Sequence, residues 1–178
     1  KCWGLDSRGQ LGDGGGFTNT NAPSSTAIDL GTGRTAVAVS AGWEHACAVL
    51  DNGNLKCWGD DNFGTLGDGP SSTTATDAPS STPIDLGTGR TAVAVSAGGD
   101  HTCAILDNDL KCWGRDNEGQ LGDGGTTHTS TTWTTEPSST PIDLGTGRTA
   151  VAVSASLMSH SCAILDNGEA KCWGKYDR

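Results

Sequence analysis

Large apolar side chains are scarce in this chain. Aromatics make up 5% of its 178 residues, with one tyrosine, two phenylalanines and a single methionine, and the hydrophobic fraction is only 34%. That composition argues against long helices around one deep aliphatic core. The 27 glycines point instead to short strands joined by tight turns. No apolar run approaches the ~20 residues that a membrane-spanning helix needs, and no charged-then-apolar leader opens the chain. Basic residues are in deficit as well: 11 Lys and Arg face 21 Asp and Glu, a formal charge of −10. Such a surface repels nucleic-acid phosphates and anionic membranes, so neither is expected as a partner. No Asn-x-Ser/Thr acceptor occurs, which excludes N-linked sugar.

What is present is organised around His45–Gly59, H-A-C-A-V-L-D-N-G-N-L-K-C-W-G, which returns at His101–Gly114 and His160–Gly174. Asp51-Asn52-Gly53 reads as a three-residue hairpin loop, a type I turn closed by a left-handed glycine. That loop pairs Leu50 with Asn54, hence Val49 with Leu55 and Cys47 with Cys57. The cysteines then fall on a non-hydrogen-bonded pair, where antiparallel strands approach most closely and a disulfide can form. In the second copy eight residues, not nine, separate the cysteines. A two-residue Asp107-Asn108 turn, left-handed at both positions, would absorb the deletion and keep Cys103 opposite Cys112. The same register sets Trp58 across from Ala46, Trp113 from Thr102 and Trp173 from Ser161. Disulfides Cys47–Cys57, Cys103–Cys112 and Cys162–Cys172 are therefore expected. The seventh cysteine, Cys2, would find its hairpin partner upstream of Lys1. Paired cysteines in a chain poor in large apolar residues indicate an extracellular, secreted setting.

The tetrapeptide KCWG recurs at 1, 56, 111 and 171, at spacings of 55, 55 and 60 residues. Residues 1–55 form a first repeat with a partial opening hairpin, 56–110 a second and 111–170 a third, and 171–178 begin the next. Pro23–Gly42, Pro79–Gly98 and Pro137–Ser156 are nearly one sequence. Within it Thr35–Ser40 alternates with period two, placing Thr35, Val37 and Val39 on one face of a strand and Ala36, Ala38 and Ser40 on the other. A weaker extended piece around Ile28-Asp29-Leu30 is the remaining strand candidate, for about four strands per repeat. A glycine-rich corner follows each KCWG, and its lone Leu11, Leu66 or Leu121 is expected to plug the core. After the corner the copies stop agreeing. Gly14–Ala22, Gly69–Ala78 and Gly124–Glu136 read as variable surface loops.

These motifs resemble the repeats of the regulator of chromosome condensation family. A strand ending in S-A-G, then H-x-C, a D-x-G turn, W-G and finally G-Q-L-G-x-G runs through all three repeats, departing at Ser156-Leu157, where the glycine is lost. The resemblance covers essentially the whole chain. It implies an all-β fold of propeller blades, each a four-stranded antiparallel sheet, usually seven around an axis. Three repeats are too few to close a ring of roughly four to eight blades, so the chain reads as an incomplete window of a longer array. Leu30-Gly31-Thr32-Gly33 taken alone is a tight hairpin setting Asp29 against Arg34. The resemblance implies instead that it crosses from one blade to the next.

Candidate chemistry is thin. His45, Cys47 and Cys57 could ligate zinc only with reduced thiols and a fourth ligand that no motif supplies. Asp13, Asp68 and Asp123, with Asp6, Asp61 and Asp116, lack calcium-loop spacing and are expected to cap their own turns. Every histidine but His128 is locked to the repeat, whereas one active site needs one asymmetric constellation. No catalytic residue, metal or cofactor is assigned. Eleven of the fifteen residues from Thr126 to Thr140 are Ser or Thr. Thr18, Thr20, Thr73, Thr74, Thr76, Thr126, Thr127, Thr129, Thr131, Thr132, Thr134 and Thr135 are the candidates for O-linked sugar. Phe17 and Trp133, aromatics in divergent loops, are candidate partner contacts.

Two functions fit. The first is a non-catalytic extracellular scaffold or fibre component whose partners are neighbouring repeats or copies of itself. The second is a binding propeller that holds a protein or glycan through its variable loops.

Overall fold

The computed structural model describes residues 1–69, 74–107, 109–125 and 133–175. Each repeat builds an inner strand (β1, Ala36–Ala41; β4, Ala92–Ala97; β8, Ala150–Ala155) antiparallel to a second (β2, His45–Leu50; β5, His101–Leu106; β9, His160–Leu165). The second strand turns back into a third (β3, Leu55–Gly59; β6, Leu110–Arg115; β10, Ala170–Gly174). In the middle blade a short fourth strand, β7 (Trp133–Thr134), completes the sheet. The sheets converge on β1, β4 and β8, which touch in succession, as in a propeller.

The hairpins follow the sequence register. Cys47 pairs with Cys57, Cys103 with Cys112 and Cys162 with Cys172, and all three pairs are disulfide-bonded. Each tryptophan faces the small residue expected of it. Gly53 closes the first turn with φ +77°. One expectation fails at the shortened turn: no described non-glycine residue has positive φ, so Asp107 is not left-handed, while Asn108 lies outside the described residues. Left-handed backbone costs an L-residue energy that glycine avoids. Asp107 instead keeps an ordinary φ and accepts hydrogen bonds from Thr91 N and Oγ1.

Two further expectations need correction. The fourth strand does not lie at Ile28-Asp29-Leu30. Gly4, Gly59 and Gly114 pair instead with Thr20, Thr76 and Thr134, inside the segments read as surface loops. Ile84 N donates to Leu55 O at 3.0 Å, Ile142 N donates to Leu110 O at 2.9 Å, and Ile84 and Leu86 are buried between blades. The link therefore crosses from blade to blade, as the resemblance implied, and Arg34 meets Asp51 rather than Asp29. The inner strand also does not alternate as expected. Ala36 faces Leu50 while Ala38 already faces Val49, so Val37 is a bulge residue, as are Val93 and Val151. The three valines turn out of the sheet and are 65%, 57% and 61% exposed.

Burial lies at the seams between blades. One cluster joins Cys47, Val49, Leu55, Cys57 and Leu66 to Ala92, Ala104, Leu106 and Trp113 of the next blade; a second repeats this between the second and third. Leu11, Leu66 and Leu121 are buried as expected. Each indole N–H reaches back to the preceding corner: Trp58 to Gln10 O at 3.0 Å, Trp113 to Thr65 O at 3.1 Å, Trp173 to Gln120 O at 3.0 Å. A Cβ on Gly12, Gly67 or Gly122 would fall 2.4–2.5 Å from that indole nitrogen. Near the axis, Ser40 Oγ accepts from Ala97 N and Ser96 Oγ from Ala155 N, both at 2.9 Å. Gly42 and Gly98 slide beneath the next blade, where a Cβ would meet Gly98 O at 2.3 Å and Ser156 O at 2.7 Å.

Two outcomes are expected. Each disulfide closes a loop with a sequence separation of 9 or 10, worth roughly 2.5–3 kcal/mol by the chain-entropy relation. Three of them match much of the ~5–15 kcal/mol that holds an ordinary domain together. Full reduction should abolish the thermal transition; an unchanged midpoint would show that blade packing suffices. Gly98 lacks positive φ, so Gly98→Ala tests steric fit alone. It should cost about 1–3 kcal/mol in denaturant unfolding. Gly89→Ala, at φ +71° with nothing within 4 Å, should cost only about 1 kcal/mol.

Candidate interaction surface

Each of β2, β5 and β9 begins with a histidine opposite a glycine of the third strand, which leaves room for the ring. His45 Nε2 lies 2.8 Å from Thr102 Oγ1 of the next blade, and Thr102 Oγ1 donates to Thr65 O at 2.8 Å. A hydroxyl has one proton, and Thr65 O receives it, so Nε2 of His45 is the donor. His101 repeats the device through Ser161, which donates to Gln120 O at 2.9 Å. Thr65 O thus collects Thr102 and the Trp113 indole, and Gln120 O collects Ser161 and Trp173. Burial pushes His45 down from 6.5 to about 4, with repulsion from His101 adding to it. Burial lowers His101 likewise to about 4, opposed by Asp100 and reinforced by His160. His160 itself is exposed, and its Nδ1 meets Ser156 Oγ at 3.0 Å, the serine that replaces glycine.

The corner carboxylates act on their own backbone. Asp6 Oδ1 accepts from Leu11 N at 2.9 Å, Asp61 from Leu66 N at 3.0 Å and Asp116 from Leu121 N at 2.9 Å. Asp13 and Asp123 cap Gly15 and Gly125. Burial raises the Asp68 carboxyl. With Cys47 and Cys57 oxidised to a disulfide, a zinc site beside His45 has no thiolates.

The loop candidates divide. Thr20, Thr76 and Thr134 are half-buried, and their hydroxyls are turned away from solvent where they pair with the third strand. Thr18 and Thr74 are exposed and Thr135 is half-buried. Thr73, Thr126, Thr127, Thr129, Thr131, Thr132 and His128 lie outside the described residues. Phe17 is 58% exposed. Trp133 is 41% exposed, and its ring meets Phe63 edge to face at 6.3 Å. The Arg115 guanidinium lies 4.8 Å over the Phe63 ring and pairs with Asp100 at 2.8 Å.

Other departures from the repeat also face solvent. At the turn between the inner and second strands, Trp43, Gly99 and Leu157 stand at matched positions, and Trp43, Leu157 and the inserted Met158 are exposed. Phe63, Arg115 and Trp43 were not singled out in the sequence. Their mismatch with the other repeats was the available signal.

Two sequence models of the regulator of chromosome condensation (RCC1) repeat match the chain, one over residues 2–49 and 52–105, the other over 36–65, 92–120 and 150–175. The chain is 36% identical over 87 residues to the ultraviolet-B receptor UVR8 of Arabidopsis thaliana, spanning 48% of this chain and 19% of the receptor. It is 31% identical over 127 residues to the E3 ubiquitin-protein ligase HERC2 of Homo sapiens, spanning 70% of this chain and 2% of the ligase. Human WBSCR16 shares its fold with a TM-score of 0.75 at 23% identity, covering 97% of this chain and 42% of that one. Yeast RCC1 (Prp20), in a structure with Kap60, gives 0.73 at 20% identity, covering 97% and 38%. The chain therefore spans less than half the length of each of these proteins.

The seam histidines make stability depend on pH. Their folded value near 4 lies below the unfolded 6.5, so the unfolded chain binds more protons in between, and stability present above pH 6.5 is lost as pH falls. From about pH 7 to about pH 5 the loss should reach roughly 2 kcal/mol per histidine. Denaturant midpoints measured over that window should fall accordingly. His45→Gln should remove one proton's worth of the slope.

Proposed function

The chain belongs to the regulator of chromosome condensation repeat family, and on that premise we propose that it is a non-catalytic, extracellular propeller segment that binds a protein partner. One observation carries this reading. Repeated residues such as Leu66, Leu121, Trp58 and Trp113 are buried and the bulge valines are exposed in every blade alike, whereas the exposed Phe17, Trp43, Trp133, Leu157 and Met158 each break the repeat. Symmetric burial builds the blades; asymmetric exposure is what recognition of one partner requires. The closed cystines support an oxidising compartment. Yeast RCC1 (Prp20), which shares the fold, is seen bound to a protein, Kap60.

A structural scaffold or fibre is the second reading. It is favoured by the near-identity of the segment around each inner strand and by seams that repeat the same hydrogen bonds. Self-association separates the two. Sedimentation velocity of the native protein over rising concentration should give one discrete species. Open-ended growth would overturn the binding reading in favour of the scaffold.

A further inference from the structure

On the rim of the first seam, Trp133 is an exposed aromatic held in place from several sides. It is the cross-strand neighbour of Arg115. Phe63 from the preceding corner abuts its ring at 71°, Arg115 covers Phe63, and Asp100 anchors Arg115. The positions matched to Trp133 hold Asn19 and Ala75, and those matched to Phe63 hold Arg8 and Glu118, so the cluster occurs once. Trp133 borders a depression of about 550 Å³, and a second of about 300 Å³ adjoins it; the two share Asp85 and Glu136. Asp85 and Glu136, common to both, join them into one trough. Its size lies in the ~300–1,000 Å³ range of small-molecule sites.

We propose that this trough binds a neutral oligosaccharide. A fixed indole offers a flat face to the C–H side of a pyranose, and carboxylate oxygens accept from vicinal hydroxyls. Glu136, which breaks the repeat, and Asp85, whose Oδ1 already accepts from Gly87 N and leaves Oδ2 for a ligand, stand where both depressions meet, beside Ser139 in the larger. Two depressions in succession suit a chain of sugars rather than a single ring. Carboxylates outnumber the one lysine, Lys111, and so disfavour a sulfated or uronic-acid chain. An added peptide strand is disfavoured because Thr135 O, at the end of β7, already accepts from Gly69 N at 3.0 Å. The assignment rests on the binding reading above and names a second class of ligand for the same molecule.

The native protein is titrated calorimetrically with cellotetraose, mannotetraose and N-acetylchitotetraose, with a hyaluronan tetrasaccharide as the charged control. At least one neutral probe should bind saturably at one site. Trp133→Ala and Glu136→Gln should each weaken it about tenfold or more, Glu136→Gln without shifting the melting midpoint and Trp133→Ala while keeping one cooperative melting transition. The proposal is overturned if no neutral probe binds at millimolar concentration, if both variants bind as the parent does, or if hyaluronan binds as tightly. A protein that sediments as one discrete species yet binds no neutral probe loses the sugar site and keeps the protein-binding reading.

Discussion

A carbonyl in each glycine-rich corner receives an indole N–H and, in the second and third blades, a hydroxyl as well, both from the blade that follows. Thr65 O takes Trp113 and Thr102; Gln120 O takes Trp173 and Ser161. The hydroxyls are in turn held by His45 and His101 across the seam. A buried carbonyl serving two donors tolerates little displacement, because moving the blade leaves several buried polar groups unpaired at once. The glycines follow from this. Gly12, Gly67 and Gly122 lie where the indole must pass, and Gly42 and Gly98 where the next inner strand must slide.

That constraint explains how a chain with so few large apolar residues folds. Two apolar clusters straddle blades, each containing one cystine, and a third sets Ala46, Ala48, Leu50 and Trp58 of the first blade against Cys2, Ile28 and Leu30. A disulfide between closely approaching strands adds apolar volume at the seam and limits the freedom of the unfolded hairpin. Stability is then a sum over seams and staples, as in other stacked repeats. The third blade departs where it matters for such stacking. Ser156 puts a Cβ and a hydroxyl where Gly42 and Gly98 have neither, and its Oγ meets the ring of His160.

Function is drawn from what the repeat does not dictate. Most side chains repeated in every blade are accounted for by a seam, a turn or a bulge, as the corner aspartates, His45 and His101, and the exposed valines are. Trp133 and Phe63 are different, because no seam requires them. Their contact joins the corner of one blade to the outer strand of the next, and it borders a trough lined by Asp85 and Glu136.

The sequence by itself determined whatever depends on neighbours a few residues apart. The Asp51-Asn52-Gly53 turn sets the register of β2 on β3, and the register places Cys47 on Cys57 and Trp58 on Ala46. The repeat spacing carried the same logic to the other blades and, through the family's motifs, to the propeller. Only the tertiary structure decided what depends on residues remote in the chain. The fourth strand is a threonine pairing with a glycine in segments of unequal length, too short to show a period, and there the hydroxyls of Thr20, Thr76 and Thr134 are buried. The bulge at Val37 shifts the alternation that the sequence suggests, since two residues of β1 advance against one of β2. The edge-to-face contact of Phe63 with Trp133 lies outside any local pattern. It exists because a seam brings two unmatched loops together, and packing, not periodicity, chooses that contact.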